Sequence, residues 1–465
     1  MDGIFSGRNF LKYWHYCRIY GVRNATRLAL RRIHTPKDRA ATGIAAPAAL
    51  ARPIAGPELP RIDKRVSVII PTKNAGVEFN RLLRKLTAQK GIEIREVIIV
   101  DSGSTDDTLE IARQQGAKIV RIAPHEFTHA YVRNKGAESA TGDYVLFLVQ
   151  DAVPLTDAWL WQMARVLESN GVVAVSCAEY PRSDSDLFYQ FLIHSQYGAA
   201  GCEQDQICAW DESCRSSPGL RSRARLSDVA ALLRRDVFER YRYRTDYAED
   251  VELGARLVQD GHKLAFLCST RVLHSHRRPA YYFLKRGYVD ARYMGEIFPG
   301  SVYPRLNDKR HLHGDIADVY KRIGGIAECL SRQKFPLALP AFLEQVREGL
   351  SAGPRRDSPI GIDPELRNFI DEFCASADIE RTPPTRNSSM LLPHLWEHFE
   401  KFQRWMCYVH ETAEESLARD VVSGLEKLFA LHCGTHLAYL FLTCSGQRHR
   451  DEALFQMDQR LTAGV

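Results

Sequence analysis

Between residues 66 and 149, short apolar runs alternate with stretches of helical periodicity, and that alternation constrains the fold more than any other feature. Residues 66–70, Val-Ser-Val-Ile-Ile, read as a short buried strand stopped by Pro71 and Thr72. Apolar residues at helical spacing follow at Leu82, Leu83 and Leu86, and then comes a second strand, Glu-Val-Ile-Ile-Val, over 96–100. A helix is predicted from near Thr105 to Gly116, a third strand over 117–122, a helix around 130–140 and a fourth strand over 143–149. Strands that alternate with helices imply βαβ units and a parallel sheet.

At 465 residues the chain exceeds one compact core, so two domains with appendages are expected. Its 45% hydrophobic and 26% charged residues exclude a disordered or fibrous protein. No run approaches about 18 apolar residues, so no membrane span is expected. Residues at the start show no apolar stretch followed by a small-residue cleavage site, so a cytoplasmic location is expected. The 11 cysteines are scattered; Cys202, Cys208 and Cys214 recur every six residues, which is not a zinc spacing, and free thiols are expected.

The formal charge of +6 is localised. Arg8, Lys12, Arg18, Arg23, Arg27, Arg31 and Arg32 face Asp2 alone within residues 1–35 and account for the whole excess. Phe5, Phe10, Leu11, Trp14 and Tyr20 are interleaved with them. A basic amphipathic helical segment of this kind suits either an anionic membrane surface or packing on the protein itself. Nothing elsewhere extends the basic patch, so nucleic acid is not an expected partner. Residues 36–63 form an Ala/Pro-rich linker, 64–305 the α/β domain, and 310–465 a mostly helical C-terminal domain of unread role, with apolar residues at helical spacings over 341–350 and 392–441. His432 and His436 fall on one helix face there and read first as a packed cluster rather than a metal site.

In open α/β sheets, ligands gather at the carboxyl ends of the strands. Here those ends are polar: Pro71-Thr72-Lys73-Asn74, then Asp101-Ser102-Gly103-Ser104-Thr105-Asp106, then Gln150-Asp151. Ser104 to Asp107 make a good helix cap, but Asp101 comes straight off the strand, where capping does not require it. A carboxylate placed like Asp151 suits Mg2+ or Mn2+ holding a diphosphate. Glu249 and Asp250 open a helical run ending near Gly261; backbone N–H groups there favour the charged form, so Asp250 is expected to be ionised at neutral pH.

These strand ends, with Phe127 to Ala137, Ala140 to Pro154, Ala248-Glu249-Asp250 and Val272-Leu-His274-Ser-His276, resemble glycosyltransferase family 2 with its GT-A fold, in its rhamnosyltransferase-like branch. The likeness covers about residues 65–300, with five motifs in order. It implies a Rossmann-like, mostly parallel sheet with flanking helices, and a metal-assisted inverting hexosyl- or deoxyhexosyltransferase. A sugar, rhamnose among the candidates, would pass from a nucleoside-diphosphate sugar to a hydroxyl of a glycan or lipid-linked acceptor in surface polysaccharide synthesis. By the same resemblance Pro71, Thr72, Asn74, Asp101, Ser104, Arg133, Asn134 and Gln150 would bind the nucleotide sugar. Asp151 with His274 or His276 would hold the divalent cation, and Asp250, with Glu249 as the lesser candidate, would be the base. The location implied is cytoplasmic, with the inner membrane face open through residues 1–35.

Two departures qualify this. The family's usual Asp-x-Asp is Gln150-Asp151-Ala152 here, which leaves one carboxylate for a metal, and Asp228 stands where the branch usually carries Asn. The reduced metal motif keeps a second reading open, a non-catalytic nucleotide-sugar-binding or scaffold protein of the same fold. Against it stand Glu249, Asp250 and the two histidines, since a binding module needs no base. A nucleotidylyltransferase would carry a Gly-rich, cationic loop after the first strand, for which Lys73-Asn-Ala-Gly76 is a poor substitute.

Overall fold

The computed structural model describes residues 59–463, apart from 170, 183–184, 200–203, 300–308, 353–362, 376–388, 411 and 445–451. The basic segment 1–35, most of the linker expected over 36–63, Cys202 and the stretch 381–386 lie outside those residues.

The first half follows the alternation of the sequence: β1 (Arg65–Thr72), α1 (Val77–Thr87), β2 (Glu93–Asp101), α2 (Thr108–Gln114), β3 (Lys118–Arg121), α3 (His129–Ala137) and β4 (Tyr144–Leu148). Then come β5 (Val153–Pro154), α4 (Trp159–Glu168), β6 (Val172–Tyr180), α5 (Leu187–Ala199), β7 (Gln206–Cys208), α6 (Ser217–Arg223), β8 (Ala230–Arg234), α7 (Arg235–Tyr241), α8 (Glu249–Gln259), β9 (Lys263–Leu273) and α9 (Ala280–Ile297). The nine strands form one sheet in the order β3-β2-β1-β4-β8-β6-β9-β5, with β7 against β9. The pairs β3–β2, β2–β1, β1–β4 and β6–β9 are parallel, and β8 runs antiparallel between β4 and β6.

Burial explains why the strands are apolar throughout rather than alternating. Val66, Val68 and Ile70 of β1 pack with α1 and α4 on one face, while Ile69 joins Ile98, Val100 and Phe147 under α3, α7 and α8 on the other. A sheet covered on both faces leaves no solvent side for polar residues. The architecture is the α/β, GT-A-type sheet with a helical C-terminal region.

The remaining helices are α10 (Lys309–Ser331), α11 (Leu339–Ser351), α12 (Pro364–Ala375), α13 (Leu391–Val409), α14 (Glu415–Thr443) and α15 (Glu452–Thr462). Their core takes in Phe188 and Phe191 of α5 and Phe283, Leu284 and Tyr288 of α9. Two elements of the α/β stretch are therefore shared with the C-terminal helices. No helix among the described residues is long and apolar enough to cross a membrane. Cys208 and Cys214 are buried and form no disulfide.

Candidate active site

Register places the polar strand ends side by side. Thr72 is opposite Asp101 across the β1–β2 pair. The Thr72 hydroxyl donates to Asp101 Oδ2 at 3.0 Å, and the backbone N–H groups of Gly103 and Ser104 donate to Oδ1 at 3.1 and 3.0 Å. The Ser104 hydroxyl also donates to Oδ2, so the buried Asp101 carboxylate accepts four hydrogen bonds. Asn74, in the left-handed region at φ 48, donates its N–H to the Ser104 hydroxyl oxygen (2.9 Å) and accepts from Thr105 N–H at 2.8 Å through its side chain. Gln150 pairs with the Lys73 backbone, accepting from its N–H at 2.9 Å and donating to its carbonyl at 3.3 Å. Pro71, Thr72, Asn74, Asp101, Ser104 and Gln150 thus form one continuous wall across the ends of β1, β2 and β4.

Next along that edge stands a trio. Asp151 Oδ1 lies 3.5 Å from His274 Nε2 and Oδ2 lies 3.6 Å from His276 Nδ1. All three ligand atoms fall within 4.8 Å of one another. His274 is carried there by the β6–β9 ladder, its N–H donating to the Tyr180 carbonyl at 2.9 Å. Its Nδ1 bonds Glu179, and the Tyr189 hydroxyl sits 3.3 Å from both the Glu179 carboxylate and that nitrogen. Nε2 of His274 is buried without a hydrogen-bond partner and faces Asp151. A carboxylate that holds one imidazole nitrogen while the other stays bare is how proteins orient a metal-ligating histidine. Burial and the neighbouring His274 push His276 down to about 4, so it is neutral and its lone pair is free at neutral pH. Burial alone would lower His274 too, but Glu179 outweighs it and raises that imidazole. The donor set fits a divalent cation.

The third group is acidic and lies on α8. The Val149 N–H donates to the Val229 carbonyl at 3.3 Å, which fixes residues 228–229 beside the end of β4. The Asp228 N–H in turn donates to Asp250 Oδ2 at 3.2 Å, and the Val251 N–H donates to Oδ1 at 2.7 Å. Asp250 is therefore tied to the same edge as Gln150 and Asp151. Ala248, the residue before α8, is held at φ 53, a left-handed conformation that costs a non-glycine residue of order 1–3 kcal/mol. Arg133 of α3 is buried against the same cluster, paired with Asp228 and, at 3.0 Å, with Glu249. Glu249 is driven well above its ordinary range by burial and by Asp228, to which it donates a hydrogen bond as the neutral acid. Asp250, which keeps part of its surface open, is raised to about 7 by burial and the Asp228 charge, partly offset by the two backbone N–H bonds.

The expectation of an ionised Asp250 is therefore corrected. The helix terminus does supply N–H donors, but desolvation and a like charge outweigh them. Arg133 and Asn134 also sit differently from the nucleotide contacts expected of them. Arg133 is the counter-ion of the acidic cluster, and Asn134 bonds the Tyr243 backbone through both ends of its amide, at 2.9 and 3.2 Å.

Residues 67–242 match the family model for glycosyl transferase family 2. The chain carries a family 2 glycosyltransferase domain. It spans about two thirds of the length of two of the curated relatives it matches. O-antigen chain rhamnosyltransferase WbaN of Salmonella anatum is 33% identical over 218 residues, which is 45% of this chain and 66% of the relative. O-antigen chain rhamnosyltransferase RfbN of Salmonella typhimurium is 26% identical over 217 residues, 46% of this chain and 67% of the relative. A solved mannosyltransferase of Pyrobaculum calidifontis, in complex with GDP-Man and Mn2+, aligns over 90% of this chain and 97% of its own at 15% identity and a TM-score of 0.39, too loose a likeness to place any side chain.

Sequence reasoning missed three residues of this candidate site. Glu179 and Tyr189 brace His274, and Arg182 Nη1 donates to the Asp151 carbonyl at 3.4 Å and its Nη2 to the Ser275 carbonyl at 2.6 Å. A signal existed for the first. Glu179 is a lone carboxylate one residue before the end of the apolar strand β6, close to the strand-end position that Asp101 holds on β2.

Proposed function

We propose that the glycosyltransferase domain performs metal-assisted, inverting transfer of a sugar, rhamnose foremost, from a nucleoside-diphosphate sugar to a hydroxyl of a glycan or lipid-linked acceptor in surface polysaccharide synthesis. One observation carries the reading: a metal-capable trio, Asp151 with His274 and His276, and the Asp250 carboxylate at the start of α8 are tied to the same sheet edge. That pairing serves no evident folding purpose, since both groups carry desolvated polar atoms at a cost to stability.

Each part has a distinct task. The wall from Pro71 to Gln150 would seat the nucleoside. Asp101 would act there by holding the shape of the 102–104 turn, because both of its oxygens are already engaged. Mg2+ or Mn2+ on Asp151, His274 and His276 would neutralise the charge that develops on the departing diphosphate. Two imidazoles with one carboxylate favour the first-row transition ion over Mg2+, and the histidines make good the carboxylate that Ala152 does not supply. Asp250 would take the proton of the acceptor hydroxyl as that oxygen attacks the anomeric carbon, inverting it. A base titrating near 7 is matched to neutral pH. Arg133, Asp228 and Glu249 would set that titration without touching substrate. The basic segment 1–35 supports a station on the anionic inner membrane face, where lipid-linked acceptors sit.

The test is release of nucleoside diphosphate from deoxythymidine- and uridine-diphosphate sugars with Mn2+ and a lipid-linked acceptor, followed by chromatography. Asp250→Asn should slow release by roughly 10²–10⁴-fold while donors still raise the melting temperature. Undiminished release by that variant would remove Asp250 from the mechanism.

A further inference from the structure

Beside the candidate base stands a cation whose terminal nitrogens are uncommitted. Arg133 is taken up by Asp228 and Glu249, and Arg182 by the Asp151 and Ser275 carbonyls. Arg286, on α9, donates from Nε to Asp290 Oδ2 at 3.0 Å, and its guanidinium lies over the Tyr247 ring at 5.3 Å. Among the described residues neither of its terminal nitrogens has a hydrogen-bond partner, and its side chain is 46% exposed. We infer, on the transferase reading above, that Arg286 binds a phosphate group of the acceptor, so that the acceptor is a sugar linked to its carrier through phosphate rather than a neutral glycan chain.

Its placement is on the side of the base. Asp290 also accepts the Tyr247 hydroxyl, at 2.7 Å, so the ring and the guanidinium are fixed to one carboxylate. Tyr247 directly precedes the left-handed Ala248, which leads into Glu249 and Asp250, so the guanidinium is held beside the start of α8. The Tyr247 ring meets His129 edge-on, 6.1 Å between centroids, and His129 meets Phe127 at 5.3 Å. Phe127, which is exposed, and His129 lead into α3 from the carboxyl edge of the sheet, where the Ile122 N–H donates to the Asp101 carbonyl at 2.9 Å. A row of rings beside a base suits a sugar, whose C–H bonds settle on the electron-rich face of an aromatic ring.

Charge points the same way. Asp151, Asp228, Glu249 and Asp250 make this edge acidic, and a phosphate brought beside them needs a cation that they have not already neutralised. Burial would raise Asp228, but Arg133 foremost, with Arg286 among the further cations, brings it down. Burial likewise lifts the Tyr189 hydroxyl, and Arg286 works against that rise. The charge of Arg286 is therefore felt both at the acidic cluster and at the brace of the metal trio. The donor diphosphate is matched to the trio; an acceptor phosphate needs its own counter-charge, and Arg286 supplies it. Its two uncommitted terminal nitrogens form the fork that pairs with two phosphate oxygens. Because Asp290 and the Tyr247 ring already hold the guanidinium, little side-chain freedom is lost on binding.

The test uses the full chain with Mn2+ and the donors of the release assay. Two acceptors carry the same sugar, one joined through diphosphate to a farnesyl chain, the other a farnesyl glycoside without phosphate. Arg286→Gln should lower the kcat/KM for the first relative to the second about 10–100-fold, the usual worth of a hydrogen bond to a charged group. Arg286→Lys, which keeps the charge but loses the fork, should fall between. An equal loss on both acceptors overturns the inference. Binding is read separately by calorimetry with farnesyl diphosphate in EDTA, which needs no turnover, so failure of the transferase reading and failure of this assignment are distinguishable. The unaltered chain should bind that probe about 10–100-fold more tightly than Arg286→Gln, with or without saturating uridine or deoxythymidine diphosphate. Equal affinities, or displacement by the nucleoside diphosphate, which would put Arg286 on the donor, overturn it.

Discussion

At position 250 a carboxylate meets one cation, one anion and one neutral acid, and the balance among them sets what it can do. Asp228 lies close enough to raise Asp250, while Arg133 pairs with Asp228 and limits that effect. Asp250 serves as a base only when deprotonated, so turnover should rise with pH through about 7 and fall below it. Replacing Asp228 with Asn removes a like charge, lowers the Asp250 pKa and should move the acid limb of the kcat–pH profile to lower pH. A limb that stays in place would show that burial alone raises Asp250. Asp250→Asn should lower kcat by roughly 10²–10⁴-fold, the usual worth of a general base, with donor affinity held. On the metal side Glu179→Gln keeps the volume but removes the charge behind His274, and should weaken Mn2+ binding about 10–100-fold, read by titration. The residue types at 101, 151 and 250 were legible in the sequence as polar groups at element ends. Their energetics were not, because the groups that tune them are distant in sequence: Asp228 is 22 residues from Asp250 and Glu179 is 95 from His274.

Helices are positioned at this site by close approach as much as by apolar area. α9 and α14 cross where Gly287 and Gly434 leave no room for a side chain. A Cβ at Gly434 would lie 1.9 Å from the Leu284 carbonyl oxygen, and one at Gly287 would lie 2.1 Å from that of Leu431. Backbone cannot move aside cheaply, so Gly434→Ala should destabilise the protein by about 3 kcal/mol in urea unfolding. Gly424, on the same helix, is the contrast. Its Cβ would make ordinary contact with Phe402 at 3.5 Å, and Gly424→Ala should stabilise by about 1 kcal/mol through helix propensity. Equal effects from the two would mean that the crossing is not tight. The α9 crossing matters for the site because α9 carries Arg286 over the Tyr247 ring (5.3 Å) and accepts the Tyr247 hydroxyl on Asp290 at 2.7 Å, one residue before the strained Ala248. The apolar residues over 392–441 recur at helical spacings, and the chain turns out between α13 and α14, where Thr412 and Ala413 pair with Ala338 and Leu337 in a two-stranded ribbon. Helical periodicity cannot reveal that break, since it depends on a partner some 75 residues away.

On the scale of the whole molecule, the charge is polarised: residues 1–35 hold the entire formal excess of +6. Each cation near an anionic surface contributes about 1 kcal/mol, and salt screens it. Deleting 1–35 should therefore release the protein from phosphatidylserine-containing vesicles in a sedimentation assay at low salt, and equal sedimentation of both forms would exclude an electrostatic anchor. The sequence by itself determined the order of strands and helices through β4, the two-faced burial of the strands and the polar character of their ends, because these follow from local periodicity and from which side chains can lose water. Only the tertiary structure decided that α5 and α9 join the C-terminal helices in one core, that Arg133 is buried as the counter-ion of an acidic cluster, and that Asp250 is raised to about 7. The physical reason is common to all three: each depends on which groups desolvate one another across long stretches of chain, and desolvation is a property of neighbours in space.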